Sequence, residues 1–191
     1  MRSLAALLLA PTVCLAQAVE VAGVKFEPQV RVEEAGPVLQ LNGAGLRTRL
    51  IFKVYAVGLY VPAKSSSAAE AIAGNGPKRV AIRMLRDVDA QTFSGALEDG
   101  LRANHSEAQF RALEPRVRQL AAIMAELKEA KEGMRIALDW RPGTGTVVLV
   151  DGSARGKPIE GEDFYPALLR IWLGDKPVDD DLKKGMLGQA G

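Results

Sequence analysis

The side chains best suited to ionic chemistry are one arginine beside a glycine pair, a single histidine and a run of three aspartates. Arg47 follows Gly43 and Gly45 in the stretch LNGAGLR and lies next to a largely apolar stretch. Burying an unpaired charge costs several kcal/mol, so Arg47 needs water, a protein carboxylate or an anionic ligand. The residues alone favour a structural partner over a ligand.

The histidine and the aspartates lack the neighbours that a catalytic or metal site requires. A Ser-His-Asp triad or a histidine metal site would depend on His105, the only histidine, and nothing nearby completes either set. His105 lies between two predicted helices, which is typical of a solvated or capping histidine. The run Asp179 to Asp181 lacks the alternation of a calcium loop and suits a helix start. We therefore expect no metal site and no cofactor.

Two glycine-rich stretches resemble phosphate loops only in composition. The stretch 43–45 runs into a predicted strand, and the stretch 143–145 lies between two strands of a predicted hairpin. Neither precedes a helix N-terminus that could hold a phosphate. Both are interpreted as breaks or turns of the backbone, and no phosphate loop is predicted.

The N-terminus has the pattern of a cleaved secretory signal. Arg2 precedes an apolar run at residues 4–9, and Ala16-Gln17-Ala18 gives the small-x-small cleavage site. The apolar run is far shorter than the roughly 20 residues of a membrane-spanning helix. The alternative is a buried N-terminal helix. We expect a signal peptide at residues 1–18, one domain at residues 19–191, and a periplasmic or secreted protein.

Composition narrows the functional classes of the mature chain. Cleavage removes Cys14, the only cysteine, so neither a disulfide nor a thiol nucleophile remains. It also removes one arginine and no acid, which leaves 24 basic and 23 acidic residues. This balance is not the basic footprint of a nucleic-acid-binding protein. About 170 residues suffice for one domain with a substantial core.

The first half of the chain is predicted to form strands. The β-type runs are residues 19–26, 30–33, 38–41, 50–61 and 78–86, with a break at the glycines 43–45. The run 50–61 is largely apolar on both faces. A strand of this kind lies centrally in a sheet and is covered on both sides.

The second half is predicted to be mainly helical. Asp89 and the Ser106–Gln109 capping box each begin a helix, and Pro115 is expected to kink the second helix or split off its first turn. Its apolar stripe over residues 110–127 is interpreted as core, with a partner helix as the alternative. A hairpin at 134–150 and a helix from Asp163 to Gly174 follow. The order predicts an α+β fold with an antiparallel sheet and helices on one side.

Two motifs resemble the signature of the chalcone isomerase-like superfamily, in its exported bacterial branch. They are NGAGLR and FKVYAVGLYVP, and LLRIWLGDKPVDDDL near the C-terminus is similar too. The resemblance implies an open-faced β-sandwich, in which helices pack on a large antiparallel sheet and a ligand cleft lies between the two layers. This fold agrees with the predicted order of strands and helices.

The resemblance also implies a set of site residues. Arg47 matches the arginine that guides the substrate in plant chalcone isomerases, and Tyr55 matches a threonine of the following strand. Phe93 matches a cleft tyrosine, Gly100 an asparagine, and Ile171 falls near the last polar residue. One of the five family groups is retained, and three are apolar or absent. Without hydroxyl and amide partners the site cannot orient a phenolate, so chalcone isomerisation should be weak or absent.

Three functions remain open from the sequence. The first is an exported, non-catalytic binding protein for a small apolar ligand with a carboxylate. The resemblance implies an arginine and a tyrosine at the carboxylate in fatty-acid-binding members; here Arg47 and Tyr55 would act similarly, although the family's cleft tyrosine is missing. The second is an isomerase or lyase with Arg47 as electrophile and Tyr55 as acid or base. The third is a structural or interaction protein of the cell envelope, whose own side chains fill the cleft.

Overall fold

The computed structural model describes residues 18–189, so the predicted signal peptide, except Ala18, lies outside the described residues, as does Cys14. The strands are β1 Val19–Val21, β2 Val24–Phe26, β3 Gln29–Arg31, β4 Val38–Arg49, β5 Phe52–Val61, β6 Lys78–Met84, β7 Val88–Asp89, β8 Glu129–Ala130, β9 Arg135–Arg141, β10 Gly145–Val150 and β11 Ser153–Ile159. The helices are α1 Ala68–Ala73, α2 Ala90–Ala103, α3 Glu107–Ala125, α4 Phe164–Leu173 and α5 Asp180–Met186.

A seven-stranded antiparallel sheet in the order β11-β10-β9-β6-β5-β4-β3 forms the centre of the molecule. One face carries Val57 and Leu59 and packs against the helices in the main core. The other face carries Ala56 and Tyr60 and packs against Phe26 of the β1–β2 hairpin. The predicted α+β fold with a large antiparallel sheet is confirmed, and β5 is covered on both sides as its two apolar faces predicted.

Helices α2 and α3 begin where the sequence predicted, whereas the short α1 was not predicted. The Asp89 carboxylate accepts a hydrogen bond from the Thr92 backbone N–H at 2.8 Å at the start of α2. Ser106 and Gln109 form both bonds of the capping box at the start of α3. The apolar stripe of α3 is buried in the main core, which confirms the core interpretation over the partner helix. Within residues 18–189, no helix has the length and hydropathy that a bilayer span requires.

The predicted strand break at the glycines is wrong. β4 continues through Gly43 and Gly45, and the chain turns only at Leu50 and Ile51. The reason is the close approach of α5: a Cβ built on Gly45 would lie 2.6 Å from the Leu182 carbonyl oxygen, and one on Gly43 would overlap the backbone at Gly185. The glycines therefore admit a helix backbone against the strand, a recognised use of strand glycine.

Three smaller predictions also need correction. The run 19–26 forms two strands, because Ala22 and Gly23 adopt positive φ and turn the chain back as a hairpin. α3 continues through Pro115, so the predicted split of its first turn is wrong, while the alternative kink stays a prediction. The edge strand β11 was not predicted, since six of its seven residues are exposed and it contains a glycine and Pro158. A strand without an alternating apolar face gives no periodic signal.

Lys78 gives a pH-dependent stability that can be measured. Its side chain is buried, Nζ donates to the Ile72 carbonyl oxygen at 2.9 Å, and burial lowers the pKa of the ammonium to about 8 from 10.5. Between these values the unfolded chain binds more protons, so stability rises with pH. We expect the free energy of unfolding to increase by about 2 kcal/mol between about pH 7.5 and about pH 9.5, measured by urea denaturation.

The variant Lys78→Met should abolish that increase, because it removes the titrating ammonium. Lys64→Met is the matched control, since Lys64 is exposed, and it should keep the pH dependence. The window ends below pH 10 because burial raises the pKa of Tyr55 and of Tyr60 to about 12, which makes stability fall at higher pH. If the free energy of unfolding of the unmodified protein does not change over this pH range, the lowered pKa of Lys78 is contradicted.

Candidate functional site

A cleft of about 800 Å³ lies between the β4–β5 end of the sheet, α2 and the segment that follows α4. All five residues predicted as a ligand site line it, namely Arg47, Tyr55, Phe93, Gly100 and Ile171. The volume falls within the range of about 300–1,000 Å³ typical of small-molecule pockets. The structure therefore brings the five positions together, while their role in binding a ligand stays a prediction.

Arg47 and Tyr55 face each other across two neighbouring strands. They are register partners on β4 and β5, so their side chains lie on the same face of the sheet. The register shifts directly after Arg47, where Thr48 pairs with Lys53 and Val54 is left as an extra residue. Such bulges bend a strand and re-aim its side chains, and they are frequent beside functional sites.

The Tyr55 hydroxyl is held in place and stays protonated. The buried Trp172 indole donates from Nε1 to the Tyr55 oxygen at 3.0 Å. Burial raises the pKa of Tyr55 to about 12, although the Trp172 bond and the charge of Arg47 both lower it. Near neutral pH Tyr55 is a neutral phenol whose hydrogen has no acceptor among residues 18–189. The protonation state suits a hydrogen-bond donor rather than a base.

Arg47 has a protein carboxylate beside it, as the residues alone suggested. Its Nη1 donates to the Thr48 carbonyl oxygen at 2.7 Å and lies 3.6 Å from Asp179 Oδ2, beyond hydrogen-bond distance. That carboxylate also accepts the backbone N–H of Thr48 in β4. As the N-cap of α5 it accepts the backbone N–H groups of Asp181 and Leu182. Arg47 Nε and Nη2 have no hydrogen-bond partner among the described residues, and 24% of the side chain is exposed. Part of the guanidinium can therefore still receive an anion.

Phe93 forms an apolar wall of the cleft, at the position where the resemblance implies a tyrosine hydroxyl. Its ring meets the Tyr55 ring edge-on, with the centroids 6.4 Å apart and an interplanar angle of 79°. Val54 and Leu97 extend the apolar lining beside it. At this position the helical side of the cleft offers a ring, and the phenol hydroxyl of the lining belongs to Tyr55 on the sheet.

Gly100 and Ile171 bring α2 against α4 at the cleft. A Cβ built on Gly100 would lie 2.8 Å from Ile171 Cγ2, and Ile171 is itself buried and branched at Cβ. The asparagine that the resemblance implies at this position has no room here. The position was correctly placed in the cleft by resemblance, but its present role is close helix packing.

This packing predicts opposite effects for two glycines of the same helix. Gly100→Ala should lower the free energy of unfolding by about 1–2 kcal/mol, because overpacking outweighs the gain in helix propensity. Gly95→Ala should raise it by about 0.5–1 kcal/mol, because nothing lies within 4 Å of the added methyl group. Urea denaturation of both variants tests this, and equal shifts would contradict the packing.

Two of the three acids that line the cleft, Asp87 and Asp89, are bound to backbone groups. Asp87 Oδ1 accepts the Glu132 N–H at 2.7 Å. Asp89 caps α2, and its hydrogen bond from Thr92 lowers the pKa of the carboxyl. Neither is arranged as a general base facing the cleft. The third acid of the lining, Asp99, is exposed on α2. It is outnumbered by the cations of the lining, which are Arg47, Arg49, Arg86 and Lys176.

The other ionic candidates have structural roles. His105 Nδ1 donates to the Leu101 carbonyl oxygen at 2.8 Å near the end of α2, which confirms the capping interpretation. Asp179 caps α5, which confirms the helix start. Across residues 18–189 no three histidine, cysteine or acidic side chains lie together as metal ligands would.

Sequence comparison identifies the family. A sequence model described as "Chalcone isomerase-like" matches residues 18–188. The chain belongs to the chalcone isomerase-like family. A solved structure of the fatty-acid binding protein AtFAP1 from Arabidopsis thaliana superposes with a TM-score of 0.70 and 14% sequence identity, covering 91% of this chain and 97% of that one. At this identity the match shows a shared fold. No curated protein sequence matched the chain.

Two partners in the site were missed from the sequence. Trp172 lies in the helix predicted from Asp163 to Gly174, and the sequence did not connect it with the site. A buried indole N–H usually finds an acceptor, so a partner could have been sought near Tyr55. Asp179 was correctly interpreted as a helix start, but nothing local connects it to Arg47. The two meet only because α5 folds back onto β4.

Proposed function

We propose that this protein binds a small apolar molecule with a carboxylate, of the fatty-acid type, and performs no chemistry on it. The observation that carries the proposal is the open cleft with Arg47 and the Tyr55 hydroxyl on one face of the sheet. The partly free guanidinium and the phenol hydrogen suit the two oxygens of a carboxylate. Phe93, Val54 and Leu97 suit an apolar chain.

The energetics favour an acyl chain with a charged end. Each buried methylene contributes about 0.8 kcal/mol, so the chain supplies most of the affinity. A charge-assisted hydrogen bond contributes about 1.5–3 kcal/mol and mainly sets orientation. The fold is shared with a protein described as a fatty-acid binding protein, which supports the same ligand class here.

The two alternatives have less support in the site. For an isomerase or lyase, Tyr55 with a pKa of about 12 cannot act as a base near neutral pH, and the family's other polar positions hold Phe93, Gly100 and Ile171. Chalcone cyclisation should proceed at the spontaneous rate. For a structural envelope protein the cleft would be filled by its own side chains, whereas this cleft is open.

The proposal includes export. It rests on the Arg2 n-region, the apolar run 4–9 and the Ala16-Gln17-Ala18 cleavage site. The mature chain would then begin at Val19 in the periplasm or outside the cell, without a thiol. Intact-mass measurement of the exported protein tests this, because a mass that still includes Cys14 would contradict cleavage.

The binding proposal is tested with a fatty acid and the alcohol of equal chain length. We expect the acid to bind about tenfold to a hundredfold more tightly, the value of one charge-assisted hydrogen bond. Isothermal titration on the mature protein measures both. Ala96→Phe should weaken both ligands, because Ala96 is exposed in the cleft and the ring would fill it. Ala108→Phe is the matched control on an exposed position of α3 outside the cleft. No binding of either ligand would refute the proposal.

A further inference from the structure

The tip of the β4–β5 hairpin is apolar and exposed. Leu50 and Ile51 form the turn and are 88% and 86% exposed, and the adjoining Phe52 is 49% exposed. Tight hairpin turns usually carry asparagine, aspartate or glycine, which tolerate water and positive φ. Here three large apolar side chains in sequence project from the end of the sheet.

The backbone of the tip is strained as well. Leu50 has φ of +56°, a conformation that is unfavourable for a bulky L-residue and natural for glycine or asparagine. Neither solubility nor turn geometry explains a leucine at this position. Both observations point to a surface that Leu50 and Ile51 contact outside the chain.

Basic side chains surround the apolar tip. Arg49 and Lys53 flank it, and residues 49–53 include no acid. The Arg86 guanidinium lies over the Phe52 ring, 4.5 Å from its centroid. Apolar residues at a tip with cations behind them match the order of a bilayer interface, with acyl chains below and anionic headgroups above.

The size of the tip favours a bilayer over a protein partner. A specific protein interface buries about 1,200 Å² or more, which three side chains cannot supply alone. A bilayer accepts a few inserted side chains, and their contribution grows with the apolar area buried. The tip is also continuous with the cleft, since Leu50, Phe52 and Arg86 belong to its lining.

We propose that the β4–β5 tip docks this protein on an anionic lipid surface, with Leu50, Ile51 and Phe52 inserted between the headgroups. The mouth of the cleft then faces the headgroup layer, so an amphiphile can pass between bilayer and cleft without crossing water. The docking stands on the tip alone, and only the passage of ligand rests on the proposed function.

The test is co-sedimentation of the mature protein with phosphatidylcholine vesicles, with and without phosphatidylglycerol. Ile51→Asn should weaken binding to the anionic vesicles about tenfold, because one large apolar side chain no longer inserts. Lys53→Gln should weaken it about fivefold and leave binding to neutral vesicles unchanged. Val38→Asn and Lys25→Gln are matched controls, at an exposed valine and an exposed lysine away from the tip, and should bind like the unmodified protein.

The outcomes separate docking from ligand binding. Ile51 and Lys53 do not line the cleft, so both variants should bind fatty acid normally in vesicle-free buffer. If the unmodified protein binds no anionic vesicles, or Ile51→Asn binds them equally well, the docking proposal is overturned while ligand binding can stand. The unmodified protein could instead self-associate in sedimentation velocity without binding vesicles. If Ile51→Asn abolishes that self-association, the tip contacts a second copy of the chain, and the docking proposal is overturned.

Discussion

Gly45→Ala is expected to lower the free energy of unfolding by about 3 kcal/mol. The added methyl group would meet the Leu182 carbonyl oxygen at 2.6 Å and the Leu182 Cα at 2.9 Å. These are backbone atoms of α5, which cannot rotate away as a side chain can, so the strand and the helix must separate. The expected loss of stability therefore lies at the upper end of the range of about 1–3 kcal/mol that is typical of overpacking.

Urea denaturation of Gly45→Ala, compared with that of Gly95→Ala, isolates the contact between Gly45 and α5. Gly95 has open space around it, so the same chemical change there should raise the free energy of unfolding by about 0.5–1 kcal/mol. The contact is reciprocal, since a Cβ on Gly185 would approach the Ala44 carbonyl oxygen at 2.5 Å. Equal stability of Gly45→Ala and the unmodified protein would show that α5 does not pack on β4 through these glycines.

The same contact explains which parts of the fold the sequence could predict. Caps, helical stripes and the long apolar strand were predictable because each depends on residues close together in the chain, such as Asp89 with Thr92 or Ser106 with Gln109. The glycines of β4 were misinterpreted as a break. Their function depends on Gly185, which local patterns cannot connect to them.

In the candidate site, too, some features could be predicted from the sequence and others depend on long-range packing. The five cleft positions were found through resemblance, since spacing along the chain does not show that Phe93 and Tyr55 meet. The hydrogen bond from Trp172 to Tyr55 and the ion pair of Arg47 with Asp179 arise from long-range packing. The exposed tip was missed for another reason: the apolar residues 50–52 were assigned to a buried strand, because exposure cannot be read from a continuous apolar run.

Arg47 gives the second large effect, on ligand binding rather than on folding. Arg47→Ala should weaken fatty-acid binding about tenfold to a hundredfold, the value of a charge-assisted hydrogen bond. Arg47→Lys should weaken it less, because the charge remains and the planar two-pronged contact is lost. Isothermal titration of each variant measures the affinity, with the fatty alcohol as the uncharged reference ligand.

Variants of Asp179 and Arg47 together show whether Arg47 contributes to ligand binding or to the stability of the fold. Its pairing with Arg47 at 3.6 Å is partly exposed, and such pairs contribute about 0–1 kcal/mol, so Arg47→Ala should hardly change the melting temperature. Asp179→Asn keeps an N-cap oxygen for α5 and removes a negative charge near the bound carboxylate. Its amide nitrogen cannot accept the Thr48 N–H, so a loss of about 1 kcal/mol in stability is expected. Fatty-acid affinity should therefore rise severalfold in Asp179→Asn, since like charges repel. If Arg47→Ala instead unfolds the protein and Asp179→Asn destabilises it equally, the pair is structural and the carboxylate must bind elsewhere.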